Sequence, residues 1–178
     1  MGKTIKRKIY EIVTDVDKIK KETLERGLNN NAIREWAYII HDKDIDDEGN
    51  HIRAHYHIAI RLKYAQELKH VAKWFEVQEN FVELCKGTYQ DLLKYLIHEN
   101  CPDKYQYDVN DIVCNFDYQK VKNKKVGNER LEEIINGIVS GKIREYNYFE
   151  YIDAVEFDKY RKSIDNALQR VKRKLEKC

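Results

Sequence analysis

The sequence predicts an α+β protein: an antiparallel sheet with helices packed on it, close to the split β-α-β plan, followed by a small all-helical segment. Three observations predict it. Strand-like and helix-like stretches follow one another in the order β-α-β-β-α-β-α as far as Glu99. Ala54–Leu62 (AHYHIAIRL) alternates cleanly, as a strand with two unlike faces requires. From about Gly127 the strand signals disappear and only helical spacing remains.

The elements read in order as follows. Lys8–Thr14 (KIYEIVT), rich in β-branched and aromatic residues, is a first strand. Asp15–Asn31 carries Ile19, Lys20, Leu24 and Leu28 at roughly helical spacing and ends in an Asn triplet suited to a helix stop. Glu35–His41 is a second strand, and the acidic loop 42–53 holds Gly49 and Asn50, which suit a reversal. In the third strand, Tyr56, Ile58, Ile60 and Leu62 share one face, and His55, His57, Ala59 and Arg61 the other, exposed face. Tyr64–Phe75 reads as a helix and Phe81–Cys85 as a short strand. Thr88–Glu99 is a helix with Thr88 as N-cap and Asp91 at the capping-box position. Tyr105–Tyr118 is irregular or strand-like. Leu131–Val139, Arg144–Val155 and Phe157–Lys177 have helical spacing. The basic linker Lys120–Asn128 marks a boundary between a domain over 1–122 and a helical one over 127–178. The second is small for independent stability and is expected to self-associate.

Composition excludes several classes. Apolar residues make up 42% of the 178, enough for a core, and 36% are charged. Seven Gly and one Pro argue against a disordered or fibrous chain. No run approaches the ~18 apolar residues of a membrane span. The basic start MGKTIKRKIYEIVT has no apolar signal core, so a cytoplasmic location is expected. Cys85, Cys101, Cys114 and Cys178 form no C-x-x-C pair and read as free thiols. Net charge is only +2, but Lys3–Lys8, Lys120–Lys125 and Arg170–Lys177 are basic while Asp42–Glu48 is acidic. Such clusters are commonly solvated faces and can also contact phosphate.

Chemistry concentrates on the third strand. Histidines at i and i+2 point the same way, about 7 Å apart along the chain, and can share one cation. Pairing strands two and three through the acidic loop brings His41 and Asp44 near His55 and His57. A calcium loop starting at Asp42 needs Gly at its sixth position and Glu at its twelfth, where Asp47 and Arg53 stand, so it is rejected. Three imidazoles with one carboxylate suit Mn²⁺ or another first-row ion, zinc staying open on affinity grounds; Mn²⁺ is expected, with Mg²⁺ as the alternative. In the helix from Thr88, the residues Tyr89, Leu92, Leu93, Leu96 and Ile97 form one apolar face. Tyr95 and His98 lie off it, three positions apart and therefore neighbours. Tyr95 can thus reach a site on the sheet without being locked in the core.

Together, HDKD (41–44), AHYHIAI (54–60) and KYLIHEN (94–100) resemble the three ordered motifs of the HUH endonucleases, above all the replication initiators of small rolling-circle plasmids of Gram-positive bacteria. The likeness runs over most of residues 8–120, including DVNDIVCNFDY (108–118). It implies an HUH core on the split β-α-β (RRM/ferredoxin-like) plan, metal ligands at His41, Asp44, His55 and His57, and a tyrosine nucleophile at Tyr95. Some relatives have a second tyrosine, or a lysine three residues after the first; here that position is His98, a possible assisting residue, and Lys94 has no assigned role. The implied activity is binding of duplex origin DNA and nicking of it at a single-stranded site in a hairpin, to give a 5′-phosphotyrosine and a 3′-OH primer, with host replication machinery as partner and a helical C-terminal oligomerisation segment. A phenol with a pKa near ~10 needs activation, by the metal or by His98. Two rivals remain: a transposase or relaxase with the same motifs, and a non-enzymatic RRM-like binding module, which would want aromatics on the exposed strands to stack bases.

Overall fold

A computed structural model describes residues 5–175. Lys3 of the first basic cluster, Cys178, and the last residues of the cluster and helix expected to reach Lys177 lie outside them. The chain divides into two compact units between Lys124 and Lys125.

The first unit is α+β. Its strands are β1 (Lys6–Asp15), β2 (Ile33–His41), β3 (His55–Glu67), β4 (Val82–Leu84) and β5 (Val113–Cys114). They form one sheet in the order β4-β1-β3-β2-β5, antiparallel throughout. Helix α1 (Lys21–Leu28) connects β1 to β2, and α2 (Leu68–Phe75) connects β3 to β4. Helices α3 (Tyr89–Leu96) and α4 (Tyr118–Lys122) follow β4 and β5.

The period-two pattern sorts two cores onto opposite faces of the sheet. Tyr10, Ile12, Ile58, Ile60 and Leu62 pack with Leu24 and Leu28 of α1 and Val71, Ala72 and Phe75 of α2. A Cβ on Gly27 would lie 2.7 Å from the Phe75 ring, so only glycine allows α1 this close to α2. On the other face, Ala37, Ile39 and Ala59 meet Tyr89, Leu92, Leu93 and Leu96 of α3. Small alanines on two adjacent central strands let α3 sit down on the sheet.

Several boundaries differ from the sequence reading. The expected helix 15–31 is a 3₁₀ turn (Val16–Lys18), an extended Ile19 and then α1, because Val16 N–H donates to Ala54 O (3.0 Å) at the end of β3. The expected helix from Tyr64 starts only at Leu68: Lys6 and Arg7 pair with Glu67 and Gln66, and Tyr10 Oη donates to Gln66 O (2.5 Å), holding 64–67 in β3. Cross-strand pairing overrides local helical spacing there. α3 has its capping box, Thr88 with Asp91, but stops at Leu96; His98 has a left-handed backbone (φ 57°). Part of the expected linker is α4, where the Lys122 stem is buried and its ammonium pairs with Glu99. Cys85, Cys101 and Cys114 are free thiols.

The second unit holds α5 (Gly127–Val139) and α6 (Ala154–Leu175). Ile134, Ile138, Ile143, Ile152, Ile164 and Ala167 form its core. The expected helix 144–155 is reduced to a 3₁₀ turn at Tyr148–Glu150. Asn147 accounts for this: its side chain accepts from Arg144 N–H (2.7 Å) and donates to Lys142 O (3.2 Å), competing with helical bonding. Among the described residues, no helix is long and apolar enough to cross a membrane.

Candidate active site

Register builds the site. In the β2–β3 ladder His41 faces His55 and Ile39 faces His57, so the three imidazoles emerge on the α3 side at one end of the sheet. That face is not open, as the sequence reading expected; α3 covers it, and His41, His55 and His57 are 0%, 9% and 6% exposed. An open stacking platform on this face of β3, which the non-enzymatic rival would want, is therefore overturned.

Each imidazole spends one nitrogen on a fixed partner. His41 Nε2 meets Leu96 O (2.8 Å), His55 Nδ1 meets Arg53 O (2.8 Å), and His57 Nδ1 meets the Glu11 carboxylate (2.7 Å). These partners only accept, so each of those nitrogens carries the proton, and the tautomers follow from the network. The nitrogens left over are His41 Nδ1, His55 Nε2 and His57 Nε2, and one ring nitrogen from each of these three histidines lies within 4.8 Å of the others. His55 Nε2 and His57 Nε2 are 3.1 Å apart. Two nitrogens about 2.1 Å from one ion, at about a right angle, would be separated by about 3.0 Å. His41 Nδ1 is buried without a hydrogen-bond partner, 3.3 Å from Asp44 Oδ2. Ring nitrogens gathered around a carboxylate call for a proton or a metal cation between them, and this donor set is of the kind that fits a divalent metal.

Asp44 is aimed by Tyr107. The Tyr107 hydroxyl donates to Asp44 Oδ1 (3.0 Å) and accepts from Lys43 N–H (2.9 Å), and its ring stacks on His41 at 4.3 Å and 5°. Burial alone would raise the Asp44 carboxyl, but the Tyr107 hydrogen bond and the surrounding histidines outweigh it and hold Asp44 below the usual carboxylate range. Burial, reinforced by His57, lowers His41 to about 4. Neutral imidazoles and an ionised carboxylate are the forms that bind metal. Asp46, in the same acidic run, accepts from the backbone of Glu48 and Asn50 and belongs to the turn.

Tyr95 stands at the rim, its ring 5.6 Å from that of His57 and 5.3 Å from that of His98. His98 departs from expectation: it is fully buried, with Nδ1 donating to Tyr105 O (2.7 Å) and Nε2 unpartnered. Burial lowers its pKa. One ligand atom each from His41, Asp44 and His98 also lie within 4.8 Å of one another. The left-handed turn at His98, which the helical wheel did not foresee, swings the ring inward.

Sequence reasoning missed Glu11, Tyr107 and Lys104, whose Nζ donates to Tyr95 Oη (2.9 Å). Glu11 was within reach: alternation sets it opposite Tyr10 and Ile12, on the histidine face. The other two sit in a loop without periodicity.

These features bring three histidines and an aspartate together in a buried cluster of a kind that could hold a cation, with a phenol at its edge. Residues 3–119 match the family of plasmid replication proteins, over their origin binding domain. The chain is 36% identical over 184 aligned residues to a replication protein of Onion yellows phytoplasma (strain OY-M), covering 93% of this chain and 49% of that protein. It is 26% identical over 93 residues to the replication protein RepB of Lactiplantibacillus plantarum, covering 51% of this chain and 43% of that protein. A replication protein of Staphylococcus aureus is 26% identical over 74 residues, 42% of this chain and 37% of that protein. The chain spans about half or less of the length of these relatives. It belongs to the plasmid replication protein family and carries that family's origin binding domain.

Proposed function

We propose that this chain is an HUH-type rolling-circle initiator that nicks one strand of its origin through Tyr95. The observation carrying this reading is the 3.1 Å approach of the two free imidazole nitrogens of His55 and His57, with the Tyr95 ring against His57. The sheet order β4-β1-β3-β2, with α1 and α2 as crossings, supports a split β-α-β core. His41, Asp44, His55 and His57 would hold the metal, Mn²⁺ by its tolerance for imidazole and Mg²⁺ as the alternative. A cation held there would supply positive charge to offset that developing on the scissile phosphate.

Tyr95 Oη attacks phosphorus, the bond from phosphorus to the 3′ oxygen breaks, and the freed 3′-OH is offered to the host polymerase as a primer. The strand must be single at that point, so an extruded hairpin in supercoiled DNA is the substrate. The 127–178 segment associates the chain with further copies, and the protein works in the cytoplasm, where plasmid DNA resides.

The test uses negatively supercoiled DNA of the replicon that encodes this chain. With Mn²⁺, the wild-type protein gives open circles with protein bound covalently to the 5′ end, and peptide mapping finds the adduct on Tyr95. Tyr95→Phe gives neither product. Undiminished nicking by that variant, or an adduct elsewhere, sinks the nucleophile assignment.

A further inference from the structure

Among the described residues, Tyr95 Oη has one hydrogen-bond partner. Lys104 Nζ donates to Tyr95 Oη at 2.9 Å and lies 5.1 Å from the centre of the same ring. Among the described residues, no carboxylate comes within 4.0 Å of this ammonium. Its hydrogen bond to the phenol raises its pKa further, so the positive charge persists.

The loop after α3 is built to present it. Cys101 N–H donates to His98 O (2.8 Å) and Lys104 N–H to Cys101 O (3.1 Å). The Gln106 amide donates to both Cys101 O (3.0 Å) and Lys104 O (2.9 Å). His98 Nδ1 anchors the next residue through Tyr105 O, and Tyr107 N–H returns the loop to Ile97 O (3.3 Å). Buried His98, with one nitrogen committed to that carbonyl, thus acts as the anchor of the loop that carries Lys104.

We propose that Lys104 is a catalytic residue of the strand exchange: its ammonium stabilises negative charge on the Tyr95 oxygen when that oxygen attacks and again when it leaves. This rests on Tyr95 being the nucleophile. In the forward direction the phenol proton passes to solvent, the Oη–P bond forms, the bond from phosphorus to the 3′ oxygen breaks, and that oxygen takes a proton from solvent. The reverse joining runs the same changes backwards, with the tyrosine oxygen as leaving group. No proton leaves Lys104 in either direction; it is a fixed charge-assisted donor. Because one oxygen is nucleophile and leaving group in turn, a single lysine serves nicking and rejoining alike.

The nick site is first mapped on supercoiled DNA of the encoding replicon, and a single-stranded oligonucleotide spanning it is then used at saturating Mn²⁺. Lys104→Met keeps the aliphatic stem and removes the charge; Lys104→Arg keeps the charge. The expected result is single-turnover cleavage and rejoining both slowed on the order of 100-fold in Lys104→Met, with oligonucleotide and Mn²⁺ affinities unchanged, and Lys104→Arg within about tenfold of wild type. Lys104→Met cleaving within threefold of wild type overturns the proposal. So does a weakening of oligonucleotide affinity that matches the loss in rate, or Lys104→Arg as slow as Lys104→Met. Mapping the wild-type adduct separates the two claims: an adduct on another residue defeats the Tyr95 reading, whereas an adduct on Tyr95 with a fast Lys104→Met defeats only the role of Lys104.

Discussion

Glu11 reaches His57 from the neighbouring strand at 2.7 Å and decides which imidazole nitrogen keeps its proton. A carboxylate in that position fixes the ring's orientation and makes the free nitrogen more basic, and loss of such an outer partner costs about 10–100-fold in metal affinity. Glu11→Ala should therefore weaken Mn²⁺ binding by that factor in calorimetric titration, while far-ultraviolet circular dichroism stays that of the wild type. Unchanged affinity would show that His57 needs no orienting partner. The contrast between Glu11 and its neighbours explains what was legible in the sequence. His41, Asp44, His55 and His57 stood out because strand alternation and a hairpin bring them together, both of which are local patterns. Lys104 and Tyr107 act on the same site from a loop held by long-range bonds, such as Tyr107 to Asp44, sixty-three residues apart. In a chain with 33 Lys and Arg and 13 Tyr, nothing local distinguishes them.

Elements were legible where one local signal ruled, as in the capping box of α3, and illegible where a distant partner ruled, as at the β3–α2 boundary. The second unit shows the same conflict in its energetics. Arg130 of α5 grips Glu156 of α6 with Nε and Nη2, both at 3.0 Å, and also donates to Tyr151 O (2.5 Å). Both side chains are half-buried, and Arg130 holds the Glu156 carboxyl below its ordinary value of 4.5. Breaking such a pair leaves a charge without its partner. Glu156→Gln should cost about 1–3 kcal/mol, read at pH 7 as faster hydrogen exchange of the α5 and α6 amides. The sign of the pH effect follows from the depressed value. Below 4.5 the unfolded chain binds more protons than the folded one, so stability rises with pH through that window. The contribution is fully present above 4.5 and lost as pH falls through the lower folded value. The gap between wild type and Glu156→Gln should accordingly narrow on acidification; a gap that stays constant down to pH 3 would show that the ion pair contributes nothing.

At the scale of the whole molecule, each unit has its own core, but the two differ in self-sufficiency. The first buries apolar side chains on both faces of its sheet and contains all the site residues. The second rests, among the described residues, on six buried ones. It leaves Val139, Tyr146, Phe149 and Val155 exposed at 63%, 77%, 68% and 77%. So small a core supplies little stability alone, and burying exposed apolar side chains against further copies of the chain would add to it. The prediction separates the units. A chain ending at Lys124 should fold, bind Mn²⁺ within twofold of the full-length affinity and run as a monomer in light scattering, whereas the full chain should be oligomeric at the same micromolar concentration. The metal site should not register the truncation, because the hydrogen bonds that orient His41, Asp44, His55 and His57 come from within the first unit. A monomeric full-length chain would overturn the role given to the helical segment. A truncated chain that loses its Mn²⁺ affinity would instead show that the site depends on residues beyond Lys124.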